Sequence, residues 1–388
     1  MRMDKAAKWT LIAGWILSLA GCPAAAPSAR RPPGLEPPVG LPPPPPDPGG
    51  DPETRTHTLL EAPPDFAVVR MSTPEYPVPP YAQYLQGVTI CLDPGHGGDA
   101  HLRGYKRGPT GVREAEVNLR VAQYLRDFLV HCGAEVRLTR EADVDISLEE
   151  RARTANEWGA DLFVSCHHNA VENNPQANYT SVWYHRDVDY RPANLDLARY
   201  LCQGLLEALA MPEVTAVPLK SDQLMYASGF GILRHARVTA ALCESSFFTN
   251  PQEEQRLRDP EYNLREAYGL FLGLARYAAA GLPIARLLVP EDGILSAGAS
   301  ATLEFELDDG LRPRQSWGHE RQMILTDSIA VRLDGGRVPH SFTNEGYCLR
   351  VDVTVDLAPG AHHLEVQFQN LFKNSVLNPA FTLQVVEE

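Results

Sequence analysis

The sequence predicts an α/β fold with three layers and a mostly parallel, twisted sheet, followed by a small all-β sandwich. Apolar runs and helical patterns alternate over residues 86–283, as in a sheet with helices on both faces. Several runs lack polar alternation, which is typical of strands buried on both faces. Over 290–388 the pattern changes to alternating strands separated by turn residues, which predicts an antiparallel accessory domain.

The first element is an export signal over residues 1–21. Basic residues precede an apolar stretch at 11–20 that is too short to span a membrane comfortably. The end, Leu-Ala-Gly-Cys at 19–22, resembles the lipobox of bacterial lipoproteins. The resemblance implies cleavage before Cys22 and lipidation of that residue. An ordinary cleaved signal or an uncleaved anchor is the alternative.

Residues 22–85 are predicted to form a disordered linker behind the lipid. The stretch is rich in proline, with five consecutive prolines at 42–46, and such a composition cannot bury a core. We interpret it as a tether that joins a membrane anchor to the following domain. The protein is therefore expected to be exported and lipid-anchored in the cell envelope, on the periplasmic side. Pro23, rather than Asp, follows Cys22, which favours the outer membrane in a cell that has two.

Charge and cysteine content narrow the class of protein. The formal net charge of −14 and the lack of a basic stripe exclude a nucleic-acid-binding protein. Only short basic runs occur, such as Tyr105-Lys106-Arg107. Of the seven cysteines, several lie in apolar, strand-like runs and none forms a CxxC motif. Mostly free, buried thiols are therefore expected.

The elements of the α/β region follow from periodicity and capping. Within 114–131, apolar residues at 117, 121, 125 and 128 share one helical face. The capping-box spacing at 147–150 predicts the start of a helix that ends at Trp158. Further helices are expected at 194–210 and 261–281, and strands at 87–93, 134–139, 161–166, 181–185 and 239–244, with 230–234 before the last strand.

Four residues that can bind a metal or move a proton lie where these elements end or begin. His96 follows the first strand, Glu114 begins the first helix, and His167 and Glu244 end later strands. In open α/β sheets ligands bind at the carboxyl ends of the strands, so these side chains could converge. Two imidazoles and one carboxylate are a common ligand set of catalytic Zn²⁺. A second carboxylate can then act as general base toward water.

Four stretches of the sequence carry a resemblance to a known family. They are "ICLDPGHGG" at 90–98, "GVREAEVNLRVAQYL" at 111–125, "VRLTREADVDISLEERARTANEWGADLFVSCHHNA" at 136–170 and "GILRHARVTAALCESSFFTNPQEEQRLRDPEYN" at 231–263. In order and spacing they resemble the zinc-dependent N-acetylmuramoyl-L-alanine amidases of the amidase_3 type. The resemblance covers most of residues 87–282.

The resemblance implies an amidase_3-like catalytic domain with a defined site. Zn²⁺ would be held by His96, Glu114 and His167. Glu244 would be the catalytic carboxylate, activating water bound to zinc. The substrate would be peptidoglycan, cut at the amide bond between N-acetylmuramic acid and L-alanine. The accessory domain at 290–388 has no site that the sequence identifies, and a wall polymer or another protein is a candidate partner.

Some site assignments have alternatives. Glu116 competes with Glu114, although on a helix the two point to different sides. His168 and His167 face opposite ways at a strand end, so His168 is expected to be solvated or to lie behind the ligands. Asp93 is a candidate to orient a ligand histidine, with a simple turn role as the alternative.

Asn169 is a candidate substrate-binding residue. Ser245-Ser246 replace the small and apolar residues usual after the catalytic glutamate of the family. Some members carry a long insertion before the next strand, which forms a helix that plugs the site. The short stretch between Asn169 and Val182 predicts that this chain has no such plug.

Two other functions remain open at the level of sequence. One is a different zinc peptidase of the wall, which cuts within peptides. The other is a non-catalytic, wall-binding lipoprotein that keeps the fold. The presence of all three ligand residues and of Glu244 argues against the second.

Overall fold

The structure, a computed structural model, describes residues 76–387 except 103, 212–216, 312–322, 344–345 and 354–356. The predicted signal, Cys22 and most of the predicted linker lie outside the described residues. The prediction of a disordered linker is wrong over 76–85, because Pro80–Leu85 form a short 3-10 helix and Tyr76, Ala82 and Leu85 are buried in the apolar core. Among the residues described, no helix is both long enough and apolar enough to cross a bilayer.

A six-stranded sheet forms the centre of the α/β region, in the order β2-β1-β3-β6-β4-β5. Strands β2, β1, β3 and β6 are parallel neighbours, whereas β4 runs antiparallel to β6 and β5 is parallel to β4. The predicted mostly parallel sheet is therefore confirmed. The strands are β1 Thr89–Pro94, β2 Glu135–Leu138, β3 Leu162–Asn169, β4 Ser181–Tyr184, β5 Leu219–Ser221 and β6 Thr239–Phe247.

Helices cover both faces of this sheet, which confirms the three layers. In β1, Ile90 and Leu92 pack in one apolar cluster with α1, α3 and α6. Cys91, between them, packs in another cluster with α2 and α4, as alternation along a strand requires. The helices are α1 Glu114–His131, α2 Leu148–Trp158, α3 Ala193–Leu209, α4 Gly231–His235, α5 Pro251–Leu257 and α6 Pro260–Ala279.

Local signals account for several helix ends. The Ser147 hydroxyl accepts a hydrogen bond from the Glu150 N–H at 3.2 Å, which confirms the predicted cap of α2. Gly159 ends that helix with φ of 65°, a conformation that costs glycine little. The segment 230–234 is largely helix α4.

Two further sheets share a second apolar core. Their orders are β11-β10-β14-β15-β8 and β12-β13-β9-β7, and the core includes Leu303, Phe305, Leu364 and Leu383. All neighbours are antiparallel except β15 and β8. The all-β second region is confirmed, while the predicted domain boundaries stay predictions. The strands are β7 Ile284–Val289, β8 Ile294–Ser296, β9 Ala301–Asp308, β10 Ala330–Leu333, β11 Gly336–Arg337, β12 His340–Thr343, β13 Cys348–Val353, β14 Gly360–Gln367 and β15 Ala380–Val386.

The all-β region contacts the α/β region near the start of β6. The Thr239 N–H donates to Asn378 Oδ1 at 2.8 Å. Asn370 donates to the Ala280 carbonyl, also at 2.8 Å. Thr239 and Glu244 lie towards opposite ends of β6, so the Thr239 contact is at the end of this strand away from Glu244.

Close helix packing gives a test of the fold. A methyl group added at Gly204 of α3 would lie 2.0 Å from the Gly269 carbonyl oxygen of α6. We therefore expect Gly204→Ala to lower the free energy of unfolding by about 1–3 kcal/mol, the usual cost of overpacking. Gln203→Ala, at an exposed position of the same helix, should change it by less than about 0.5 kcal/mol. Urea denaturation of both variants measures the difference, and equal stabilities would contradict the packing.

Candidate metal centre at the carboxyl edge of the sheet

The four candidate residues converge at the carboxyl edge. His167 and Glu244 are register partners in the parallel pair β3–β6, so their side chains leave the sheet on the same side. Glu114 is the first residue of α1, and His96 follows β1 by two residues. The topology therefore brings together residues that are far apart in sequence.

Three of them form a tight cluster. His167 Nδ1 lies 3.0 Å from Glu114 Oε1, and His96 Nε2 lies 3.2 Å from Glu114 Oε2. The two imidazole rings are nearly perpendicular, with centroids 4.8 Å apart. One ligand atom from each residue lies within 4.8 Å of the other two. The geometry is that of a site able to hold a metal ion.

Spacing and burial fit a small divalent cation. Bonds of about 2.0–2.2 Å in a tetrahedral Zn²⁺ site separate neighbouring ligand atoms by about 3.3–3.5 Å. The two imidazole nitrogens lie at similar distances, 3.0 and 3.2 Å, from the oxygens of Glu114. The Glu114 side chain is buried, and its Oε2 has no hydrogen-bond partner. A buried carboxylate oxygen seldom lacks a hydrogen bond, and a bound cation would supply the missing interaction.

The protonation states also suit metal binding. Burial alone raises the pKa of Glu114, but the adjacent side chains of His167 and His96 outweigh it, so the pKa lies well below its usual value. Burial lowers the pKa of His167, which favours the neutral ring. Metals bind ionised carboxylates and neutral imidazoles.

The pKa of Glu244 shifts in the opposite direction to that of Glu114. Burial, and then the charge of Glu114, raise its pKa well above the usual value. Its Oε2 is buried and has no hydrogen-bond partner. Two neighbouring carboxyl groups with opposite pKa shifts are typical of sites where one binds and the other transfers a proton.

The loop that carries His96 is held in an uncommon conformation. His96 has φ of 58°, a left-handed value that costs a residue with a side chain free energy. Arg151 donates to the carbonyls of Pro94 and His96, each at 2.7 Å. Arg140 donates to the Gly95 carbonyl at 2.9 Å. These buried guanidinium groups fix the loop and aim the ring.

Asp93 acts on this loop rather than on a ring. It is buried and accepts hydrogen bonds from Thr139 and Ser165, each at 2.6 Å, and from Arg151 at 2.9 Å. Burial raises its pKa, but Arg151 and the two hydroxyl groups outweigh it and the net shift is downward. No hydrogen bond described for Asp93 goes to a histidine ring.

His168 lies behind the cluster, with partners that the sequence did not indicate. His168 is buried, so of its two expected positions the one behind the ligand residues is confirmed and the solvated one is not. The backbone N–H of His168 donates to Glu114 Oε1 at 3.2 Å. Its ring nitrogens lie 2.8 Å from Asn118 Oδ1 and 3.0 Å from Glu266 Oε2. Asn118 also donates to the Gly95 carbonyl at 3.2 Å. The sequence signals for this group were His168 itself, which faces away from His167, and Asn118, a polar residue one helical turn after Glu114.

The remaining alternatives are placed as follows. Glu116 is exposed and pairs with Arg113 at 2.9 Å, so it does not compete with Glu114. Asn169 is half-buried and accepts a hydrogen bond from the Ala170 N–H, and its role toward substrate stays a prediction. Residues 170–180, all described, form bends and turns without a helix.

Metal-dependent hydrolases use this arrangement of two imidazoles, one ionised carboxylate and a second carboxyl group at a sheet edge.

Residues 90–276 match the family model Amidase_3, N-acetylmuramoyl-L-alanine amidase. The germination-specific N-acetylmuramoyl-L-alanine amidase of Bacillus subtilis is 30% identical over 213 residues, covering 51% of this chain and 83% of that protein. The amidase AmiA of Escherichia coli is 28% identical over 224 residues, covering 48% of this chain and 75% of AmiA.

A solved structure, the amidase AmiC2 of Nostoc punctiforme, is 26% identical, and the match covers 50% of this chain and 98% of that chain with a TM-score of 0.43. The relative from Bacillus subtilis, 30% identical and covered over 83% of its length, establishes the family. The chain belongs to the Amidase_3 family and is an enzyme of the N-acetylmuramoyl-L-alanine amidase class.

A glycine beside the cluster gives a test of the site. A methyl group added at Gly95 would lie 2.2 Å from His167 Cε1, so Gly95→Ala must displace that ring. We expect the affinity for Zn²⁺ to fall about 10–100-fold, as when a metal ligand loses its support. Gly336→Ala is the control, because a methyl group added there would lie 3.4 Å from its nearest neighbour, the Leu333 carbonyl oxygen. Competition with a chromogenic chelator measures both, and unchanged affinity of Gly95→Ala would contradict the geometry.

Proposed function

We propose that the protein hydrolyses the amide bond between N-acetylmuramic acid and L-alanine in peptidoglycan, using one Zn²⁺ held by His96, Glu114 and His167. The observation that carries the proposal is the cluster of these three side chains around a buried carboxylate oxygen without a hydrogen-bond partner. Membership of the Amidase_3 family supports the class of bond.

Zn²⁺ would supply Lewis-acid chemistry, which makes water more acidic and polarises the amide carbonyl. In the proposed reaction Glu244 accepts the proton of the water that attacks the carbonyl carbon. The bond from carbon to nitrogen then breaks, and Glu244 returns the proton to the departing amine of L-alanine. His167 and Glu244 leave adjacent strands on the same side, so this proton transfer needs no movement of the sheet.

The proposed location follows from the N-terminal sequence. A lipid on Cys22 and the proline-rich linker that follows it would hold the domain at a membrane surface while letting it reach the wall. With Pro23 after the lipidated residue, the outer membrane is the proposed site in a cell with two membranes. Peptidoglycan and the membrane are thus the proposed partners.

Glu244→Gln tests the proton transfer. The amide keeps the shape but cannot accept a proton, so turnover should fall about 10²–10⁴-fold while the zinc content stays at that of the wild type. Glu157→Gln, at an exposed position of α2, should retain full activity.

Mass spectrometry of digested muropeptides measures the products of both variants. Cleavage within the peptide by the wild type would instead indicate a different zinc peptidase. Near-normal turnover of Glu244→Gln would remove Glu244 from the mechanism. Wild-type protein that binds zinc and cuts no bond would favour the wall-binding alternative.

The short turn at 170–180 gives a second prediction. Because this stretch contains no helix, the purified protein should cleave peptidoglycan without an added activator. The measurement is the rate of dye release from labelled sacculi by purified protein alone and with cell-envelope extract. A requirement for the extract would contradict the expectation of an unplugged site.

A further inference from the structure

A lysine that the proposed reaction does not use faces the metal cluster. Lys106 Nζ lies 3.8 Å from Glu114 Oε2, the carboxylate oxygen that has no hydrogen-bond partner. About a third of the Lys106 side chain remains exposed, so its ammonium group can meet a bound solute. Its charge also acts on Glu244, where it opposes the rise in pKa caused by burial and Glu114.

The backbone presents this lysine in a costly conformation. Lys106 has φ of 47°, in the left-handed region, which non-glycine residues rarely occupy unless the surroundings enforce it. The Lys106 carbonyl accepts a hydrogen bond from the Glu114 N–H at 3.0 Å. His96 and Lys106 thus both have left-handed backbones and side chains that approach Glu114 Oε2.

A buried carboxylate fixes the segment that follows the lysine. Glu254, in α5, accepts hydrogen bonds from the Thr110 N–H at 2.8 Å and the Val112 N–H at 3.0 Å. Arg258 donates to the Thr110 carbonyl at 3.0 Å. A methyl group at Gly108 would lie only 2.4 Å from Glu254 Oε1. The segment 106–112 is therefore held in place before any substrate binds.

The other cations near the cluster are already engaged. Arg113 pairs with Asp99 and Asp143, and the buried groups of Arg140 and Arg151 hold backbone carbonyls. Among these described cations, Lys106 combines exposure with a position facing both carboxyl groups. During hydrolysis of an amide, negative charge develops on the amide oxygen, and a fixed cation close to that oxygen lowers the barrier.

We propose that Lys106 is a further catalytic residue, whose ammonium group contacts the oxygen of the scissile amide and stabilises the negative charge that develops on it. This inference rests on the proposed function. Lys106 keeps its proton throughout, so the bonds formed and broken are those of the hydrolysis already described.

Lys106→Met tests the role, because it keeps much of the side-chain length and removes the charge. We expect kcat to fall about 10²–10³-fold, as when one oxyanion donor is lost, with KM changed less than about threefold and zinc content unchanged. Lys106→Arg should restore part of kcat. Lys373→Met, in the all-β region, is the matched control and should behave as wild type.

A tetrahedral inhibitor separates this role from a structural one. A phosphinic acid that replaces the scissile amide of muramoyl-L-alanine mimics the charged oxygen. Its inhibition constant should rise for Lys106→Met in proportion to the loss of kcat/KM, whereas a structural change would lower zinc content as well.

Several outcomes would overturn the inference. Loss of zinc together with activity would make Lys106 part of the metal site. A raised KM at unchanged kcat would make it a contact to the bound substrate, such as a carboxylate of the stem peptide. Wild-type activity of Lys106→Met would remove any role. Wild-type protein that fails to release the L-alanine amine would instead overturn the proposed function.

Discussion

The buried carboxylate of Glu114 is the constraint on which the rest of the site depends. An ionised group at this depth costs several kcal/mol unless positive charge or hydrogen-bond donors compensate. Here two imidazoles, the His168 N–H and the more distant Lys106 surround it, yet one oxygen keeps no hydrogen bond. The surroundings are thus incomplete in a way that one divalent cation would complete. The raised pKa of Glu244 follows from its burial and from the same carboxylate charge.

Periodicity and family motifs predicted the main elements and the three residues that cluster at the site, because these features are local. Helix α1 occupies 114–131 as its apolar spacing predicts, and the motif residues His96 and His167 do meet at Glu114. His168 behind them was one of two expected positions, but its partners were not predicted, since they depend on contacts between distant segments. His168 meets Glu266 across 98 positions, and no local pattern in the sequence marks either residue as a partner.

The same distinction applies to Lys106 and to the all-β region. In sequence Lys106 is one member of a short basic run, and only the hydrogen bonds of segment 106–112 to Glu254 place it beside the cluster. The alternating pattern after residue 290 predicted strands. It did not predict the parallel pairing of β15 with β8 or the Asn378 contact near the start of β6, because register and docking are set by tertiary packing.

The central claim is that His96, Glu114 and His167 share one zinc ion. X-ray absorption at the zinc K edge, on full-length protein loaded with one equivalent of Zn²⁺, tests it most directly. The account predicts a first shell of nitrogen and oxygen at about 2.0–2.1 Å with outer-shell scattering from two imidazoles, reduced to one imidazole in His167→Ala. A shell containing sulfur, or one without imidazole scattering, would contradict it.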